Sequence, residues 1–174
     1  MSSSPIRPHL DTLAATPGIL KAMLAPATSE QLGWKPSADR WSIAEVLTHL
    51  IHTEENTVGL RVRRIVEEEQ PVIVSYDQME EYAKGTYSGR EGRAELDRFA
   101  QVREASLKWL RKVPEASFDR TGKHPECGTI RAREVLNLWA FHDLGHLRQI
   151  AELCRARMFW DGIGSLQRYY SVKP

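Results

Sequence analysis

The chain of 174 residues is 41% hydrophobic and 27% charged, ordinary proportions for a folded protein with a real core. Its 24 lysines and arginines against 23 aspartates and glutamates leave no basic excess to hold a phosphate backbone, which argues against a nucleic-acid partner. No run approaches the roughly 20 apolar residues of a membrane span, the start MSSSPIRPHL lacks a signal-peptide core, and two cysteines without CxxC spacing make no disulfide framework. The expectation is one cytoplasmic domain over 1–174, with no membrane partner and reduced thiols.

In chain order, residues 9–25 place Leu10, Leu13, Ile19, Leu20, Met23 and Leu24 near helical spacing, with Pro17 marking a start or a kink. A loop containing QLGWKPSADR follows. The second helix runs from Trp41 to Glu69 without Gly or Pro except Gly59, and Ser42 with Glu45 forms an S-x-x-E capping box at its start. Residues 70–92 are turn-rich, too long for a plain connector, and hold at most one short helix. The short VIV at 72–74 is the one stretch that reads like a strand. A third helix spans Arg93 to Val113 and stops at Pro114. SFDRTGKHPECGT reads as loop, and Ile130 to Met158 as the fourth helix. The aromatics of FWDGIGSLQRYYSVKP are expected to pack back onto the helices. Four long helices joined by loops predict an all-α, antiparallel four-helix bundle.

Chemistry concentrates in the fourth helix, where AFHDLGHLRQI sets His142 and His146 four positions apart. At about 100° per residue they lie roughly 40° apart, one turn above the other, so their imidazoles can converge. Two histidines do not make a site, and a pair of hydrogen-bonded histidines at the edge of a core is the competing reading. The second helix offers His49 and His52. With Ile43 set at zero on a helical wheel, Leu47, Leu50, Val58 and Ile65 mark the inward face; His52 falls at about 180°, toward solvent, and His49 at about 240°, on the flank where a neighbouring helix can approach. His49 is therefore the better third candidate. Three neutral imidazoles leave a metal with open positions, as catalytic sites do, and zinc, nickel, iron and other ions all accept such a set.

Glu45, one turn before His49, and Asp143 are candidate carboxylates to fix a ring tautomer, against their commoner role on the surface. HDLGH is similar to the zinc-protease pattern H-E-x-x-H, but Asp replaces Glu, the extension carrying a further histidine is missing, and Glu152 and Asp161 are the only acids downstream. The paired Glu-x-x-His motifs of a di-iron bundle are absent.

Two stretches, RWSIAEVLTHLIHTE and TIRAREVLNLWAFHDLGHLRQIAEL, with its H-x-x-x-H-x-x-Q pattern, resemble the DinB-like, or YfiT-like, metal-binding four-helix bundles. The resemblance implies one divalent metal, zinc or nickel first, on His49, His142 and His146; His9, His52 and His124 match no ligand of the family. It also implies a homodimer and, from characterised members, metal-dependent transfer of a low-molecular-weight thiol such as bacillithiol or mycothiol to a small electrophile, in detoxification or stress response. A metal that activates a thiol activates water equally well, so a hydrolase is the alternative enzyme, and a bundle binding metal or ligand without chemistry is the third reading. Arg61, Arg64 and Arg148 are candidates to hold a substrate carboxylate. Cys154 reads as a small buried apolar residue and Cys127 as an exposed loop thiol without a partner.

Overall fold

The computed structural model describes residues 5–171. Residues 1–4 of the opening segment and 172–174 of the aromatic tail lie outside the described residues. The chain forms α1 (Arg7–Leu24), α2 (Ser29–Gly33), α3 (Ile43–Asn56), α4 (Val58–Glu67), α5 (Gln78–Ala83), α6 (Gly92–Leu110), a hairpin of β1 (Thr121–His124) and β2 (Gly128–Arg131), and α7 (Ala132–Cys154). A π-helical turn at Arg155–Phe159 and a 3-10 segment at Asp161–Tyr169 follow α7.

The long helices α1, α3 with α4, α6 and α7 form the four-helix bundle. α1 packs on α6 and α7, and the α3–α4 rod packs on the same two helices, so α1 and the rod occupy opposite corners. Side-chain pairs give the directions. Glu55 meets Arg98 while Glu67, further along, meets Trp109, so the rod runs parallel to α6. Arg103 meets Leu13 while Arg93 meets Ala25, so α1 and α6 are antiparallel. Leu13 shares one apolar cluster with Leu136 and Trp139, and Leu20 and Leu24 share the other with Ile150 and Leu153, which makes α1 parallel to α7. His49 lies against His142 and Gly59 beside Trp139, which makes the rod antiparallel to α7.

Parallel neighbours explain the long crossing. To start α6 beside α4 and in the same direction, the chain must return the length of a helix, about 28 Å at 1.5 Å per residue, and residues 68–91 make that return. The predicted short helix is α5, capped by the Asp77 carboxylate, which accepts from the Met79 and Glu80 N–H groups. Arg61 and Arg64 tie the crossing down by donating to the Val74 and Val72 carbonyls. Residues 71–73 lie alongside β1, the Ile73 N–H donating to Lys123 and the Lys123 N–H to Pro71. The strand-like VIV thus has a partner, in a stretch read from sequence as loop to Thr129 and as the fourth helix from Ile130: 121–124 and 128–131 form a hairpin closed by Gly128 at φ +72°, a conformation that favours glycine, and the helix starts at Ala132.

The second predicted helix is broken. Thr57, at φ −129° and ψ −93°, separates α3 from α4. The Thr53 and Thr57 hydroxyls donate to carbonyls one turn back, at 2.9 Å to His49 and 2.7 Å to Thr53, a competition with the helical ladder that bends helices. Gly59 then passes so close to its surroundings that a Cβ there would stand 2.2 Å from the Glu54 carbonyl oxygen and 3.1 Å from the Trp139 ring. Gly59→Ala is expected to destabilise the protein by about 1–3 kcal/mol, the usual cost of overpacking, measured as a lower urea midpoint at unchanged slope.

The core is two apolar clusters along the bundle axis. One gathers Leu20, Leu24, Leu47, Ile51, Phe99 and Ile150; the other Leu13, Val62, Ile65, Leu110, Leu136 and Trp139. Between them in sequence the buried side chains are polar, Thr16 on α1, Thr53, Glu54 and Thr57 on the rod, Arg103 on α6 and Asp143 on α7, and they form a polar layer beside the site. The tail departs from expectation: Phe159, Leu166, Tyr169 and Tyr170 are exposed, because the π turn and the 3-10 segment after α7 carry the chain away from the core. Trp160 and Tyr170 meet edge to face, 6.0 Å apart.

Candidate metal centre

The Ser42–Glu45 capping box starts α3 as predicted, and it decides the fate of Glu45. The carboxylate accepts from the Ser42 N–H at 2.9 Å, from Lys35 at 3.0 Å and from Ser88 at 3.2 Å. It is committed to the helix start and makes no hydrogen bond to His49. One turn on, His49 is fully buried, with Trp41 edge-on at 4.9 Å between ring centroids and Tyr87 at 5.2 Å. Tyr87 comes from the crossing segment and hydrogen-bonds Tyr76 through its hydroxyl. The segment also covers His52, which contacts Tyr76 and Tyr87 instead of facing open solvent.

On α7, His142 and His146 are half-buried and face His49. The Nε2 atoms of His49 and His146 each stand 3.1 Å from Nε2 of His142. His146 Nδ1 lies 2.8 Å from Gln149 Oε1, so Nδ1 carries the proton and Nε2 presents its lone pair to the cluster. His9, which bonds the Ile6 carbonyl, and His124, at the hairpin, stand apart.

Burial, followed by the neighbouring His146 and His142, pushes the His49 pKa down to about 2. Burial and His146 push His142 down to about 4 against the pull of Asp143, and burial also lowers His146. All three imidazoles are therefore neutral at ordinary pH, the form that binds metal. Hydrogen bonding among themselves leaves them poorly satisfied: two close contacts converge on one nitrogen, which offers either one proton or one lone pair. Two nitrogens each about 2.1 Å from a common ion stand about 3.0 Å apart at a right angle and about 3.4 Å apart at the tetrahedral angle. Both observed 3.1 Å spacings fall between those values and the three ligand atoms lie within 4.8 Å of one another, so the donor set suits a divalent ion centred beside His142.

Asp143 is neither a surface residue nor a partner of a histidine ring. It is buried and accepts two hydrogen bonds from Arg103, at 2.5 and 3.0 Å, and one from Thr16 at 2.7 Å. The same guanidinium donates to Glu54 at 2.8 Å and to the Leu13 carbonyl at 2.9 Å. Leu13 is the residue whose carbonyl loses its helical donor because Pro17, four positions on, has no N–H, and Arg103 replaces that donor. Pro17 thus sits inside α1 without ending it. Sequence reasoning missed Arg103. The available signal was an arginine on the apolar stripe Phe99, Arg103, Leu107, Leu110 of α6.

Outward from His142 and His146 a cleft of about 780 Å³ opens between α7 and the segment before α3. Trp41, Leu138 and Phe141 supply apolar wall, with Arg40 and Arg148 at the rim. Of the three arginines proposed from sequence, only Arg148 lines the cleft. Cys127, His124 and Arg61 line a separate cavity of about 150 Å³, and Cys154 is buried.

A four-helix bundle with three converging histidines on its second and fourth long helices defines the class. The chain belongs to the DinB superfamily, whose family model matches residues 12–150. It is 26% identical to OB0782 of Oceanobacillus iheyensis, provisionally named a metal-dependent hydrolase, over 87% of each chain. It is 28% identical to YfiT of Bacillus subtilis, which carries the same provisional name, over 87% of this chain and 84% of YfiT. The solved structure of YfiT, described as a probable metal-dependent hydrolase with an unusual four-helix bundle topology, superposes with a TM-score of 0.74 at 23% identity, covering 89% of this chain and 90% of YfiT.

Proposed function

We propose that His49, His142 and His146 hold one divalent metal ion through their Nε2 atoms and that the protein is a metal-dependent hydrolase of a small molecule bound in the adjoining cleft. The convergence of three neutral imidazole nitrogens, with His142 and His146 in the wall of that cleft and His49 buried behind them, carries the reading. A divalent ion held there by His49, His142 and His146 would supply a water of lowered pKa and Lewis-acid polarisation of a substrate oxygen. The chain's own residues prepare the place. Trp41 and Tyr87 exclude water from behind His49, Gln149 holds His146 in one tautomer, and Asp143, occupied by Arg103, keeps α7 in register.

The resemblance implies thiol transfer, but the names of the relatives point to hydrolysis, and the two readings separate cleanly. Zinc- and nickel-loaded protein is assayed on a panel of activated esters and amides with and without a low-molecular-weight thiol. Turnover without thiol, lost on chelation, supports the hydrolase; turnover that appears only with thiol replaces it by the transferase. Gln149→Leu, which leaves His146 without its partner, is expected to weaken metal binding by about 10–100-fold, read by competition with a chromophoric chelator.

A further inference from the structure

The cleft over His142 and His146 has an unbalanced rim. Its one acidic residue, Glu152, is occupied by Arg155, which donates to both carboxylate oxygens at 2.8 and 2.7 Å. Its two basic residues are unoccupied: among the described residues neither the Arg40 nor the Arg148 guanidinium makes a hydrogen bond or an ion pair. Asp39, beside Arg40 in sequence, is held below the usual carboxylate range first by the hydrogen bond it accepts from Ser37 at 2.5 Å and only weakly by the Arg40 charge, which it does not bond. Arg61 and Arg64, the other arginines singled out from sequence, are spent on the crossing segment. Beside these guanidiniums the lining includes the apolar side chains of Trp41, Leu138 and Phe141. Phe141 is 72% exposed and Leu138 47% exposed, an unusual placement for large side chains unless something covers them. The volume of about 780 Å³ suits a small molecule rather than a macromolecule.

We infer that the substrate of this cleft is a small anion, an apolar body carrying a carboxylate, whose charged group is held by Arg40 and Arg148 while the apolar part lies on Trp41, Leu138 and Phe141. The inference rests on the cleft being the substrate site. Its direction is set by charge: the guanidiniums attract an anion, repel an amine, and offer a planar fork that matches a carboxylate. The apolar wall supplies affinity without discrimination, and the arginines supply the discrimination. They are positioning residues for the bound molecule, not part of the metal centre.

The test compares 4-phenylbutyrate with its neutral amide and its amine analogue by ligand-observed NMR titration. Wild type, Arg40→Gln, Arg148→Gln and the double variant are each measured zinc-loaded and chelator-treated, with helicity checked by circular dichroism. In chelated wild type the acid is expected to bind about tenfold tighter than the amide, as charge-assisted hydrogen bonds allow, and the amine weakest. Each single substitution is expected to reduce the preference and the double to abolish it. Both arginines are exposed, so the variants should fold. Equal affinity for acid and amide, no binding of either at millimolar concentration, or a preference unchanged in the double variant overturns the inference. Metal content measured on the same samples keeps the two readings apart. Protein that holds no zinc but prefers the acid through its arginines defeats the metal centre alone, and zinc-loaded protein without that preference defeats the anion alone.

Discussion

His142→Ala is expected to lower divalent-metal affinity by more than about 100-fold, beyond the range associated with losing an outer partner of a ligand. His142 is the pivot of the cluster: its Nε2 makes both 3.1 Å contacts, so its removal leaves His49 and His146 without a common neighbour. His49→Ala and His146→Ala should behave alike. His52→Ala is the control, since His52 lies on the same helix as His49 but packs against Tyr76 and Tyr87. It should retain metal at the wild-type ratio. Elemental analysis of the purified variants, followed by zinc titration, reads the result. Metal retained equally in all of them would remove the three-histidine centre.

Arg103→Leu is expected to cost about 3–5 kcal/mol, the range for removing one partner of a buried ion pair. The guanidinium is 1% exposed and serves Asp143, Glu54 and the Leu13 carbonyl at once. Its loss leaves two buried carboxylates without their cation, Asp143 with Thr16 as its remaining donor and the Leu13 carbonyl with none, in a layer where burial already raises the Glu54 pKa. A folded protein of this size has roughly 5–15 kcal/mol to lose, so the variant should sit near the edge of unfolding at room temperature. The loss belongs to the uncompensated charges rather than to the pair as such. Arg103→Met combined with Glu54→Met and Asp143→Leu should therefore recover most of it, because replacing a whole buried ion cluster by apolar residues of similar volume is often nearly neutral. Chemical denaturation measures both. A single variant as stable as wild type would show that the polar layer is inert.

The same layer explains why the candidate site was only partly legible in the sequence. His142 and His146 are local, since helical spacing alone puts them on one face, whatever surrounds the helix. His49 could be ranked above His52 from its place on a wheel, but its meeting with α7 depends on the packing of the α3–α4 rod. Asp143 and Glu45 were misjudged for one reason: a carboxylate's partner is chosen by the tertiary neighbourhood. Arg103 claims the first from another helix, while the second is held by its own capping box and by Lys35 and Ser88. Arg40 was passed over because nothing in a loop sequence tells which cavity it borders.

By itself the sequence determined the local terms: the long amphipathic helices, the Ser42 start, and the histidine pair one turn apart. Hydrogen bonding along the chain and apolar periodicity act over a few residues, and a single chain displays them directly. Only the tertiary structure decided which helices are neighbours and in which directions they run. It also bent the second helix at Thr57, supplied Arg103 to the carbonyl that Pro17 leaves without a donor, and turned the aromatic tail outward. Those outcomes depend on contacts between residues far apart in the chain, where the free energy of burial and ion pairing is shared among elements and no local pattern records it.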